Sequence, residues 1–196
     1  MMNRGLFAIL IGSFILFSSP SVSAMEANFW GLLSLPEGTT RSDPVFQTSL
    51  GKVAYGGGVS LNYVISKKWG FEVGLFYSPR GFKYHNELVD DGSLNFRWLI
   101  LPAMIRLISS RTLSVGFGGF YARSLDTKPT LGPLGVLSIN DLGLIASLNV
   151  KLPILSWLAI VGDVRYLYGM TNLSQVSSAT VYLQDVQFLL GISIKN

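Results

Sequence analysis

The chain has no cysteine, a single histidine, and few charges: Asp, Glu, Lys and Arg together make up 13% of its 196 residues. Without cysteine there is no disulfide framework, no thiolate nucleophile and no cysteine-based metal site. Soluble domains carry about 25% charged residues, so this composition argues against an ordinary soluble enzyme. A long apolar run is missing as well. A membrane-crossing helix needs about 20 consecutive apolar residues, and beyond the N-terminus a charge, an amide or a glycine interrupts every run sooner. Yet 49% of the residues are hydrophobic and the mean hydropathy is +0.43. A β-barrel reconciles these facts, because its apolar residues occupy alternate positions and escape a hydropathy window. The net charge of +4 is scattered, with Lys67-Lys68 the only adjacent basic pair. No basic stripe points to nucleic acid as a partner.

The N-terminus reads as an export signal. Met1 to Arg4 is a short positive region, Leu6 to Phe17 an apolar core too short to span a bilayer, and Val22-Ser23-Ala24 a small-residue cleavage motif. Residues 1–24 are therefore expected to be a signal peptide and 25–196 one barrel domain.

After Ala24 the chain alternates with period two, which in a strand separates two faces. Val53, Tyr55, Val59, Leu61, Tyr63 and Ile65 share one parity; Ala54, Gly56, Gly58, Ser60 and Asn62 share the other. The same pattern recurs in Phe71, Val73, Leu75 and Tyr77; in Leu142, Leu144, Ala146, Leu148 and Val150; in Leu158, Ile160, Val164, Tyr166 and Tyr168; and in Val186, Phe188, Leu190, Ile192 and Ile194. With 26–35, 94–107 and 112–125 the count reaches eight. In 94–107 the parity is ambiguous, since Arg97 and Arg106 fall on opposite faces, and a rim position or a bulge has to accommodate one of them. Short connections at 66–69, 108–111 and 153–156 alternate with long polar ones at 36–52, 85–93, 126–138 and 172–180. Short periplasmic turns and long external loops are the pattern of outer-membrane barrels. The expected fold is all-β, an eight-stranded antiparallel up-and-down transmembrane barrel with both mature termini periplasmic.

Alternation alone does not say which face points outward, since a lipocalin also alternates, around an apolar cavity. Three features favour the membrane orientation. The polar face is rich in Gly, Ser and Ala, as suits a crowded interior. Its charges have both signs, Glu72, Asp141, Asp163 and Asp185 against Arg80, Lys151 and Arg165, and buried charge is tolerated when paired. Aromatics gather near strand ends: Trp69, Phe71 and Trp157 by the short turns, Tyr77, Trp98, Tyr121, Tyr166 and Tyr168 towards the long loops, as interfacial girdles do. Eight strands leave an interior that side chains fill, so a structural ion-pair plug is expected there and a wide pore is not.

Several stretches resemble the PorT-like outer-membrane β-barrel family. They are 58–81, from Gly58 through Tyr63, Trp69 and Tyr77-Ser78 to Gly81; 98–106, from Trp98 through Ile100 and Pro102 to Arg106; Asp141-Leu142-Gly143; and 165–173, from Arg165-Tyr166 through Gly169 to Leu173. The resemblance spans the mature chain and implies an outer-membrane barrel that meets the insertion machinery during biogenesis. Ile100 stands where that family commonly has a lumenal Glu, and the chain ends Ile194-Lys195-Asn196 without a terminal aromatic.

Catalytic chemistry has little to build on. His85 lies near Glu87 and is flanked at a distance by Ser78 and Ser93, the residue types of a lipid-modifying hydrolase, but nothing in the spacing fixes a triad. Gly56-Gly57-Gly58 lacks the Lys-Ser/Thr of a phosphate loop. No cofactor and no metal is expected. The leading expectation is a non-catalytic barrel whose external loops hold the bilayer or a protein partner, with Arg41, Asp43 and Phe46 in the longest loop. A narrow solute channel and a His85-centred enzyme are the alternatives.

Overall fold

The structure, a computed structural model, describes residues 25–41, 46–48, 53–86, 89–126, 138–173 and 180–195. The expected signal peptide lies outside them. The described chain forms nine strands: β1 (Met25–Arg41), β2 (Phe46–Thr48), β3 (Ala54–Val64), β4 (Trp69–Asn86), β5 (Val89–Ile108), β6 (Leu113–Ser124), β7 (Asn140–Pro153), β8 (Leu158–Gly169) and β9 (Thr180–Lys195). Eight of them pair antiparallel with their neighbours, and β1 pairs with β9, so the sheet closes on itself. The three-residue β2 adds to the outer end of β4.

Closure is staggered. Cross-strand partners followed one way from Trp30 run through Gly58, Phe76, Ile100 and Ala122 to Asp141. The other way they run through Gly191 and Val161 to Lys151, ten residues further along the same strand. A stagger of this kind tilts the strands and sets the bore of the barrel. Closure also leaves no unpaired edge, the condition for a sheet in lipid.

The outer wall carries the apolar parity, with Leu190 69%, Leu142 58% and Phe117 56% exposed. The opposite parity is buried in the lumen. Met25 and Lys195 lie at the end that bears the short turns, Glu26 facing Lys195 across the closing pair. Two of these turns use the same device. Ser66 Oγ accepts from the backbone N–H groups of Lys68 and Trp69, and Ser110 Oγ from those of Thr112 and Leu113. A serine hydroxyl standing in for a backbone acceptor is what allows so tight a reversal.

Two expectations are corrected. Residues 85–93 do not form a long loop. β4 and β5 continue as a hairpin with Asn86 opposite Val89, because Tyr84 and Val89 extend a strand-forming run. The first long connection is likewise shortened, since β1 continues to Arg41, pairing with Thr180 of β9. Of its named residues, Arg41 ends β1, Phe46 begins β2, and Asp43 lies outside the described residues.

Candidate functional site

The feature with the most chemistry is the lumen, and its residues alternate in character along each strand. On β4 the inward positions run from Glu72 through Phe76 to Arg80. On β9 they run from Ser193 through Leu189 to Asp185, and on β7 from Asn149 through Ile145 to Asp141. Each series passes from polar to apolar to polar. Four residues along a strand cover roughly 13 Å, so an apolar belt separates two polar clusters.

The lower cluster lies towards the short turns. Arg106 donates from Nε to Glu72 Oε2 and from Nη2 to Asp163 Oδ2 at 2.6 Å. Arg165 Nη2 donates to Glu72 Oε1 at 2.7 Å and to Asp163 Oδ2 at 3.1 Å. Two guanidinium groups and two carboxylates thus form a neutral ring, and all four residues are buried. The Arg165 guanidinium also lies 4.6 Å from the ring centre of Phe76 and 5.6 Å from that of Trp30. Below the ring, Lys151 pairs with Glu26 at the mouth.

In the upper cluster, Asp185 accepts from Arg80 Nε at 3.1 Å, from Ser34 Oγ at 2.7 Å and from Gln187 Nε2 at 2.6 Å. Asp141 is equally buried, but among the described residues no donor closes on either of its carboxylate oxygens. It packs against Gly169, where a Cβ would come within 2.7 Å of its Oδ2. The expected single plug is therefore resolved into separate parts. Glu72, Asp163 and Arg165 meet one another, Arg80 meets Asp185, Lys151 meets Glu26, and the Asp141 carboxylate joins none of these pairs.

Arg106 was not among the expected lumenal charges. Its strand is apolar on both faces, with Phe96, Ile100 and Met104 inside and Leu101, Ile105 and Leu107 outside, so hydropathy does not orient it. The signal in the sequence was the charge itself, an arginine deep in a strand that needs a carboxylate. Arg97, of opposite parity, sits on the outer wall near the long-loop end and is held by Asp126, which accepts from its backbone N–H at 2.8 Å and from its guanidinium at 2.7 and 3.0 Å.

The same parity corrects Trp98. Expected at the membrane interface, it is 1% exposed and lies in the lumen beside Ile100 and Phe96, because it shares a face with the paired Arg106. The other expected girdle residues are on the outer wall. Trp69, Phe71 and Trp157 lie towards the short turns, and Tyr77, Tyr121, Tyr166 and Tyr168 towards the long loops. Two rim tyrosines are anchored, Tyr121 Oη donating to Asn140 and Tyr166 Oη to Gln184.

Of the residues of the hydrolase alternative, Ser78 and His85 are not brought together, while Ser93 on β5 lies opposite Lys83, two positions from His85. Ser78 is buried in the lumen, where its Oγ accepts from Gln187. His85 lies seven positions further along the same strand, roughly 23 Å away. Glu87 is outside the described residues. Among the described residues no group of His, Asp and Glu is arranged to hold a metal.

The Arg97–Asp126 contact yields a pH prediction. Hydrogen bonds from the Arg97 guanidinium, then from its backbone N–H, hold the Asp126 carboxyl below the usual carboxylate range. A carboxyl depressed on folding contributes stability above its unfolded pKa and loses it as pH falls through the folded value. An NMR titration should find Asp126 below that range, and Arg97→Gln should return it upward.

Comparison with known proteins agrees with this architecture. The outer membrane protein OprG from Pseudomonas aeruginosa superposes with a TM-score of 0.64 at 14% identity, over 89% of this chain and 96% of that one. AlkL, solved by solid-state NMR in lipid bilayers, gives 0.54 at 14% identity, over 92% and 95%. Ail, the attachment invasion locus protein of Yersinia pestis, gives 0.50 at 14% identity, over 87% and 98%. The fold is that of the outer-membrane β-barrels. A closed barrel of this fold with an apolar outer wall is stable where lipid, not water, surrounds it. No family model matches the chain, and no curated protein matches it, so the PorT-like motifs stand on their residues alone.

Proposed function

We propose that this barrel is a non-catalytic, non-conducting anchor whose work is done at its external loops, in a structural or partner-binding role. The observation that carries this reading is the apolar belt across the lumen. Leu32, Phe76, Phe120, Ile145 and Leu189 are each at most 4% exposed, and eight strands leave an interior that such side chains fill. The external end, by contrast, carries the longest connections, and loops displayed on a rigid scaffold are where recognition residues concentrate. Export with cleavage after Ala24, followed by delivery to the insertion machinery, belongs to the same proposal. The N-terminal sequence of the mature protein tests the cleavage.

A narrow solute path is the second reading. Arg106 Nη1, Asp163 Oδ1 and Ser147 Oγ in the lower cluster, and Arg80 Nη2 in the upper one, have no hydrogen-bond partner among the described residues. Buried polar atoms of this kind are ordinarily hydrated, and such atoms lie on both sides of the belt. Planar-bilayer recording decides between the readings. The purified barrel should give no discrete conductance steps under an applied potential, and reproducible ohmic steps would overturn the anchor reading in favour of a channel.

A further inference from the structure

The outer wall is not uniformly filled. Near the external end a shallow groove of about 610 Å³ runs down it between β5, β6 and β7, lined by Leu101, Ala103, Gly119, Tyr121, Leu142 and Met170. Its floor is low because Ala103 and Gly119 face each other across the β5–β6 pair. A Cβ at Gly119 would meet nothing closer than Gly143 O at 3.4 Å, so this glycine leaves open space on the lipid side.

At the upper end of the groove stands a cation. Arg123 is the next outward position after Tyr121 on β6, and it is exposed. Among the described residues no carboxylate pairs with it. The neighbouring Asp126 is engaged by Arg97, and Asp141 points into the lumen. The intervening sequence 127–137 contains Lys128 and no acid. Among the described residues Arg123 is therefore an unpaired cation at this part of the outer rim, directly above an apolar slot that opens to the bilayer. An arginine whose stem lies on apolar surface while its head reaches the headgroup layer is favourably placed, and it attracts anionic lipid.

We infer that this wall is a binding site for a phosphate-bearing acylated lipid of the outer leaflet, with one acyl chain in the groove over Gly119 and the phosphate on Arg123. The two halves of the site make separable demands. Arg123 selects for the anionic headgroup, and the groove selects for the chain whatever the headgroup.

Native mass spectrometry of the folded barrel in detergent, titrated with diphosphoryl lipid A and in parallel with phosphatidylcholine, tests the site. The unaltered protein should retain lipid A in preference to phosphatidylcholine. Arg123→Gln should weaken lipid A retention roughly fivefold, the effect of one interfacial cation, and leave phosphatidylcholine unchanged. Gly119→Leu fills the groove and should weaken both on the order of tenfold, the worth of about two buried methylenes. Ala103→Phe fills the slot from the facing strand and gives the same reading should Gly119→Leu fold poorly. Gly31→Leu is the control, since Gly31 is also outward and open, with Leu190 O at 3.6 Å from its added Cβ, but lies on β1, away from the groove. It should change nothing. No preference for lipid A in the unaltered protein, an undiminished preference in Arg123→Gln, or an equal loss in Gly31→Leu would each overturn the assignment.

Discussion

Arg106→Leu is expected to destabilise the barrel by about 3–5 kcal/mol, the cost of stranding a buried charge. That is a large share of the roughly 5–15 kcal/mol that holds a typical domain folded. The ring of Arg106, Arg165, Glu72 and Asp163 is neutral as it stands. Removing one guanidinium leaves two carboxylates to share Arg165, in a space where neither reaches bulk water. The midpoint of the heat-induced gel shift, or of denaturant unfolding in lipid, should fall accordingly. The informative companion is the double variant Arg106→Leu with Glu72→Leu. It removes one charge of each sign and leaves the Arg165–Asp163 pair intact, and apolar replacement of a complete buried pair is often neutral. The double variant should therefore be more stable than the single one. Equal loss in both would mean that packing volume, not charge balance, holds this level of the barrel.

The second large effect is expected at Phe76. Its side chain is 2% exposed and fills the centre of the belt. The space it occupies is made by two glycines. A Cβ on Gly58 would lie 2.5 Å from its Cδ1, and one on Gly74 would lie 2.5 Å from its Cε2. Truncation to alanine should cost about 3–5 kcal/mol and also remove the ring on which Arg165 stacks. The two glycines then supply a coupled test. At Gly74 the next contacts after the ring are 3.0 and 3.1 Å, tight but adjustable, so Gly74→Ala should be far better tolerated in the Phe76→Ala background than alone. Non-additivity of that sign marks direct contact. The same variant bears on conduction, because it removes the middle of the barrier between the two polar clusters. If the belt is what closes the lumen, Phe76→Ala should show bilayer conductance that the unaltered protein lacks.

Much of this molecule was legible from local chemistry. A strand places successive side chains on opposite faces, so wherever one parity is apolar and the other small or charged, the sequence alone assigns inside and outside. That held for β3, β4, β7, β8 and β9, whose outward residues, from Tyr55 to Ile194, are those expected. It also fixed the inward direction of Glu72, Arg80, Asp163, Arg165 and Asp185. It failed on β5, where Trp98 and Leu99, or Met104 and Ile105, differ too little in polarity to orient the strand, and there Arg106 was left unassigned between the two faces and Trp98 was misplaced. It failed again at 85–93, where polar side chains suggested a loop although the backbone continues to pair.

The sequence by itself determined an all-β chain with eight spanning segments, their alternation, and the end at which the short turns and both termini of the barrel lie, because these follow from a two-residue period and the length of each connection. Only the tertiary structure decided which charges meet. Arg106 and Glu72 are 34 residues apart, Arg80 and Asp185 are 105, and Lys151 and Glu26 are 125. No local rule links them, since partners across a lumen are set by the stagger with which the sheet closes. The groove beneath Arg123 was decided the same way, because its small floor residues, Ala103 and Gly119, come from different strands that only pairing brings side by side.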